Sequence, residues 1–230
     1  MDIDATTPLG INNQIRYSGV PDACPVCKHA CQAIQLKTAV TFPEVGNIND
    51  WTLQILYRCP RQSCGRLFIG EYYPRRDHRQ NIHFELSSMY PRTADKAEIA
   101  EGVEEISPTF AKILNQSLAA ESHSLDQIVG MGLRKALEFL IKDYCAHKRP
   151  DKSAEIKEQT LGKCITDYIT DANIQRCAKR ATWLGNDETH YSRVWTGHDI
   201  NDLKILIRLT QNWISNELLT QKYSSEMPES

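Results

Sequence analysis

The chain has 230 residues, 41% of them hydrophobic and 24% charged, with a formal net charge of -2. This composition belongs to a globular protein of one domain or two small ones. The near-neutral balance excludes a surface uniformly built to coat nucleic acid, while leaving room for a local basic patch. No apolar run approaches the roughly 20 residues of a membrane-spanning helix. The opening MDIDATTPLG is too acidic and polar for a secretory signal, so the expected setting is the cytoplasm, without membrane attachment. In that reducing compartment eight cysteines point to metal ligands, buried thiols or reactive thiols, and away from disulfides.

Residues 1–19 read as an N-terminal arm. The first strong signal is CPVC at Cys24 and Cys27, followed about thirty residues later by CPRQSC at Cys59 and Cys64. Each pair fits a tight turn that places two thiolates on one side of an ion, and two such turns complete a tetrahedral four-cysteine zinc site. Pro25 and Pro60 help bend the turns, and Gly65 follows the last ligand, where a positive φ is often required. Between the pairs, WTLQILYR alternates Trp51, Leu53, Ile55 and Tyr57 on one face, and RLFIGEYY follows as a second strand. Residues 20–83 are therefore expected as a zinc ribbon with a basic flank. So small a unit needs a metal clip for stability. Four protein ligands leave no open coordination position, which makes the expected Zn2+ structural. His29 and Cys31 lie close enough in sequence to be spare ligands, and are read as bystanders.

Arginines concentrate after the second pair: Arg61, Arg66, Arg75, Arg76 and Arg79, interleaved with Phe68, Tyr72 and Tyr73. Such a run fits phosphate pairing and base stacking with RNA or DNA. The other reading is a solvated charged rim on a ribbon whose aromatics form its own core.

Residues 84–106 lack clear periodicity and read as a linker. Helical signals then fill 107–219. Ser107-Pro108 is an N-cap with proline at the first position. Ser124 and Gln127 form a capping-box pattern ahead of LDQIVGMGLRKALEFLIKDYCAHK, whose stripe is Leu133, Ala136, Leu137, Leu140, Ile141 and Tyr144. A third helix is expected near 155–170 and a fourth over 172–184, stopped by Gly185 in a left-handed conformation. A fifth is capped by Asp199 with Asp202 at N3, and buries a side that includes Leu203, Ile207, Trp213 and Ile214. Residues 220–230 read as a disordered tail. The expected fold class is α+β, mainly α: a small four-cysteine zinc-ribbon β domain followed by a bundle of four or five helices.

The CPVC…CPRQSC pairs, the helix GLRKALEFLIKDY and the later WLGNDETHY, in this order and spacing, resemble the bacterial domain-of-unknown-function family 4145 (DUF 4145), over most of residues 20–218. The resemblance implies a HEPN-like helical bundle, a homodimer, and a place in phage-defence or mobile-element systems. Many HEPN bundles are dimeric ribonucleases or RNA-binding modules. Their ribonucleases carry R-x4–6-H with a polar residue after the arginine. Here His190 fits the histidine and Asn186 the polar position, but Trp183, Leu184 and Gly185 stand where the arginine belongs. Arg180, about one turn earlier, and Arg193 are the substitutes within reach.

GNDETH therefore carries three readings. It is a structural polar cluster, with Arg134 pairing to Asp187 or Glu188 and His190 bonded inward to Glu138 or another buried acid of the second helix. It is a pocket for RNA or another ligand. Or it is a catalytic site in which His190 is the general acid or base. The missing arginine favours a non-catalytic module that binds nucleic acid or a partner protein. The alternative is a metal-independent endoribonuclease of HEPN type.

Overall fold

The computed structural model describes residues 1–7, 10, 12–41 and 47–227. Contacts divide the chain into two compact units, Met1–Thr93 and Ala94–Ser230.

The first unit holds strands β1 (Asp2–Thr6), β2 (Asn12–Ser18), β3 (Ile34–Thr41), β4 (Thr52–Arg58), β5 (Leu67–Arg76) and β6 (Ile82–Tyr90). They close into a barrel in the order β1-β2-β6-β5-β4-β3. Neighbours run antiparallel except at two short parallel junctions, β1 with β3 and β2 with β6. The alternation of β4 is as the sequence indicates: Leu53, Ile55 and Tyr57 are fully buried. Facing them are Phe68 and Tyr72 of β5, Phe84 of β6, and Ile15 and Tyr17 of β2. Gly70 lies where a β-carbon would crowd the Tyr57 and Tyr72 rings at 3.0–3.2 Å. Its missing side chain lets those phenols meet, hydroxyl to hydroxyl, at 2.6 Å.

This corrects three expectations. Residues 1–19 are not an arm, because β1 and β2 supply two staves of the barrel. The linker over 84–106 begins later than expected, since β6 pairs with β5 as far as Tyr90. The strands form a closed barrel larger than the 20–83 ribbon. Closure removes the edges a two-stranded ribbon would leave open, and it adds core that the ribbon alone lacks.

The second unit is helical: α1 (Val103–Ile106), α2 (Pro108–Ser122), α3 (Asp126–Lys148), α4 (Ser153–Glu158), α5 (Leu161–Tyr168), α6 (Ala172–Asp187) and α7 (Ile200–Glu226). The chain is thus mixed α+β, with its strands ahead of its helices. Helix α3 is the centre of the bundle, with every residue of the predicted stripe buried against α2, α5, α6 and α7. Ser107 stands at the N-cap of α2, but its hydroxyl donates to Asp143 of α3 at 2.5 Å and not to its own helix. Asp199 and Asp202 form the full capping box of α7. Among the described residues, no helix is long and apolar enough to cross a membrane.

Several helix boundaries differ from expectation. Ser124 is not the N-cap of α3: it takes φ +58° in the tight turn from α2, Leu125 holds the cap position, and the helix starts at Asp126. The single helix at 155–170 is two, because Thr160 caps a fresh start for α5. Residues 220–226 continue α7 and are no loose tail, while 228–230 lie outside the described residues. Trp213, expected on the buried side of α7, is 39% exposed. Gly185 does not stop α6, which runs on through Asp187.

Candidate metal centre and the polar helix end

Two backbone turns of the same kind face each other at one end of the barrel. In the first, Lys28 N–H donates to the Cys24 carbonyl at 2.8 Å, and Cys24 N–H to His29 at 3.0 Å. In the second, the N–H groups of Cys64 and Gly65 donate to the Arg61 carbonyl, and Cys59 N–H to Arg66. The residue after the second cysteine is left-handed in both, Lys28 at φ +60° and Gly65 at φ +57°. Glycine holds that conformation freely, whereas a side-chain-bearing residue there costs roughly 1–2 kcal/mol.

These turns bring Cys24, Cys27, Cys59 and Cys64 together with all four sulphurs within 4.8 Å of one another. The Cys24–Cys64 and Cys27–Cys59 sulphur pairs are each 3.9 Å apart. A tetrahedral ion with metal–sulphur bonds of about 2.3 Å sets its ligands about 3.8 Å apart, so the donor set fits zinc. The His29 backbone N–H holds the Cys27 thiol down to about 6, making it the readiest thiolate. The Arg66 backbone N–H also favours ionisation of Cys64, but burial and the neighbouring sulphurs outweigh it and lift that thiol to about 11. Four adjacent thiolates repel one another, and a divalent cation relieves that repulsion. Cys31 is half-buried nearby but outside the convergent set, and His29 turns Nδ1 to the Cys27 carbonyl at 2.7 Å. Sequence reading missed one supporting residue: the Thr93 hydroxyl, beyond β6, donates to the Pro25 carbonyl inside the first turn.

The arginine run is not brought to one place. Arg61 and Arg66 stand at the cysteine end of β5, while Arg75 and Arg76 end that strand and Arg79 lies in the turn beyond. Ten residues of extended chain separate the groups by about 30 Å. All five are exposed. Arg75 approaches Glu85 at 3.7 Å, with both side chains open to solvent.

In the helical unit, the polar stretch after Leu184 is spent on internal bonds. Arg134 of α3 donates to Asn186 Oδ1 at 3.0 Å and to Glu138 at 3.3 Å, where Asp187 or Glu188 was expected as its partner. Lys142 completes the Glu138 pairing at 2.8 Å. Burial works against the Glu138 carboxylate, but Lys142 and Arg134 outweigh it and hold its pKa below the ordinary range. Asp187, buried, accepts the backbone N–H groups of Val194 at 2.9 Å and Trp195 at 2.6 Å. Glu188 pairs with Arg193 at 3.0 Å, and Arg193 also donates to the His198 carbonyl. Arg180 donates to the Arg176 carbonyl one turn back. His190 is exposed, and its side chain makes no hydrogen bond among the described residues; the bond expected to Glu138 is not made, and that carboxylate is held by Arg134 and Lys142.

No protein-family model matches the chain, and no curated protein or solved structure matches it either.

Proposed function

We propose that the chain is a non-catalytic interaction module, its β unit anchored by structural zinc and binding single-stranded nucleic acid. The observation that carries this is the outer face of β5. Leu67, Ile69 and Tyr73 project outward at alternate positions and stay exposed. The ladder sets Tyr90 of β6 opposite Ile69, and Arg58 of β4 opposite Leu67. The Arg92 guanidinium stands 5.4 Å over the Tyr90 ring. Rings and apolar side chains beside arginines offer stacking for bases and charge for phosphates.

A non-catalytic role is supported by the polar stretch. Among the described residues no cation is bonded to His190: Arg193 pairs with Glu188, and the one hydrogen bond of the Arg180 side chain runs to the Arg176 carbonyl. Without such a charge an RNA-cleaving site forfeits several kcal/mol of transition-state stabilisation. Membership of family 4145, a HEPN-like bundle and a role in bacterial defence or mobile elements belong to the same proposal, supported by the order of the sequence motifs. A homodimer is supported by Leu209 and Trp213, exposed one turn apart on α7. Eight free cysteines support a cytoplasmic setting.

Fluorescence anisotropy with labelled single-stranded RNA and DNA tests the reading. Expected is binding that weakens steeply with salt, and weakens further in Tyr73→Ala and Arg66→Gln. No binding to either strand at low salt ends the nucleic-acid reading and turns the search to a partner protein. RNA shortened in EDTA, with the activity lost in His190→Ala, overturns the non-catalytic reading.

A further inference from the structure

The helical unit contains a cleft that neither the metal centre nor the barrel surface uses. Helix α6, the loop after it and the first turns of α7 enclose about 390 Å³, with Arg180, Trp183, Trp195, His198, Asp202 and Leu206 in its wall. That volume suits a small molecule. Trp183 and Trp195 lie nearly parallel, 8° between planes and 5.7 Å between ring centroids. They remain 44% and 41% exposed, an unusual use of two indoles if packing were their only task.

The wall is preorganised by the polar stretch itself. Asp187 holds the backbone N–H of Trp195. Arg193, paired with Glu188, reaches the His198 carbonyl at 2.7 Å and closes the loop. The charges lining the cleft are unequally committed. Asp202 Oδ2 accepts from His198 Nδ1 and from the Asp199 backbone N–H, both at 3.1 Å. Arg180 uses one N–H, toward the Arg176 carbonyl at 3.1 Å. A guanidinium has five N–H donors, so most of this cation's bonding capacity is left for a ligand.

We infer that this cleft is a binding site for a small planar aromatic anion, its ring stacked on the exposed indoles and its carboxylate or phosphate paired with Arg180. Two common chemistries share that description, a nucleoside monophosphate and an aromatic carboxylate. Adenosine monophosphate and indole-3-acetate serve as probes, with neutral adenosine and cationic tryptamine as their charge controls.

The four tryptophans give resolvable indole N–H signals in a nitrogen–proton correlation spectrum of the full-length protein. The Trp183 and Trp195 signals should shift saturably with at least one anionic probe, while Trp51 of the barrel stays fixed. The matching neutral or cationic control should bind about tenfold or more weakly. Arg180→Gln should erase that preference, and Arg176→Gln, one turn away, should keep it. Ile205→Glu places an anion at an already exposed position of the cleft wall and should abolish binding without unfolding α7. Which anion binds more tightly separates the two sources. The inference is overturned if neither anion shifts Trp183 and Trp195 at up to about 5 mM, if tryptamine binds as well as indole-3-acetate, or if Arg176→Gln weakens binding as much as Arg180→Gln.

Discussion

Gly185 lies against the Arg134 side chain so closely that a β-carbon there would stand 2.6 Å from Arg134 Cδ and 3.1 Å from Arg134 Cβ. The glycine that looked like a helix stop is an approach point for two helices. Helix propensity alone favours alanine in a helix interior by about 1 kcal/mol. The contact opposes it, because Arg134 Cβ is fixed to its own backbone and cannot swing aside. Moving the rest of the side chain also strains its 3.0 Å bond to Asn186. Gly185→Ala should therefore destabilise the bundle by about 1–2 kcal/mol in urea unfolding, the overpacking exceeding the propensity gain. A more stable variant would show that α3 and α6 separate at little cost.

Asp187 and His190 should respond in opposite ways, although the sequence sets them three residues apart. The Asp187 carboxylate is buried and accepts two backbone N–H groups. Asp187→Ala leaves those donors without an acceptor and should cost about 2–3 kcal/mol, with the Trp195 loop loosened. His190 is exposed, and its side chain is unbonded among the described residues. His190→Ala should stay within about 0.5 kcal/mol of the parent. Thermal melts of both variants decide the matter, and a large loss in His190→Ala would restore it to a structural or functional role.

Much of this was legible because the relevant physics is local. Four cysteines on two turns, the apolar stripe of α3 and the Asp199–Asp202 cap each declare themselves within a few residues. What was missed depends on distant partners. The strands Asp2–Thr6 and Asn12–Ser18 carry only Ile3, Ala5, Ile15 and Tyr17 as apolar side chains, and pairing with the distant β3 and β6 is what makes them staves of a barrel. Gly185 reads as a stop until Arg134, far away in sequence, is seen to need its space. The arginine run is continuous in sequence, yet an extended strand sends its members to opposite ends of β5. Trp183 and Trp195 belong to different elements, and nothing in their spacing announces a shared cleft.

Tyr57 and Tyr72 should show strong coupling inside the barrel. Their hydroxyls bond only 2.6 Å apart in a fully buried site. Tyr57→Phe leaves the Tyr72 hydroxyl without its partner and should cost about 1–2 kcal/mol, whereas the double Phe variant should recover part of that loss. Burial, and then the Tyr72 hydroxyl, push the Tyr57 pKa far above its ordinary value. A raised pKa in the folded state means stability is intact below the unfolded phenol pKa of about 10 and falls as pH rises beyond it. Denaturation measured between pH 8 and pH 11, about the range that brackets this pKa, should show that fall, blunted in the double Phe variant.

The four-cysteine site should hold the β unit and leave the helical unit untouched. The two units have separate cores, and the sulphurs lie wholly in the first. Binding free energies of structural zinc, about 10–16 kcal/mol at neutral pH, are as large as the whole stability of an ordinary domain, about 5–15 kcal/mol. Cys59→Ser, or a strong chelator, should release about one zinc per chain and unfold the barrel while most of the helical circular dichroism persists. The pH dependence has a fixed sign. Cys27, held down to about 6 by the His29 N–H, is ionised at neutral pH, and the raised thiols of Cys59 and Cys64 must surrender protons to the metal. Metal affinity should accordingly fall with acidification and drop faster once Cys27 is protonated below about pH 6. Zinc content followed across that range, beside barrel tryptophan fluorescence from Trp51, tests this. Retention of the metal at full occupancy in Cys59→Ser would show that a different set of ligands holds it, with Cys31 the nearest replacement.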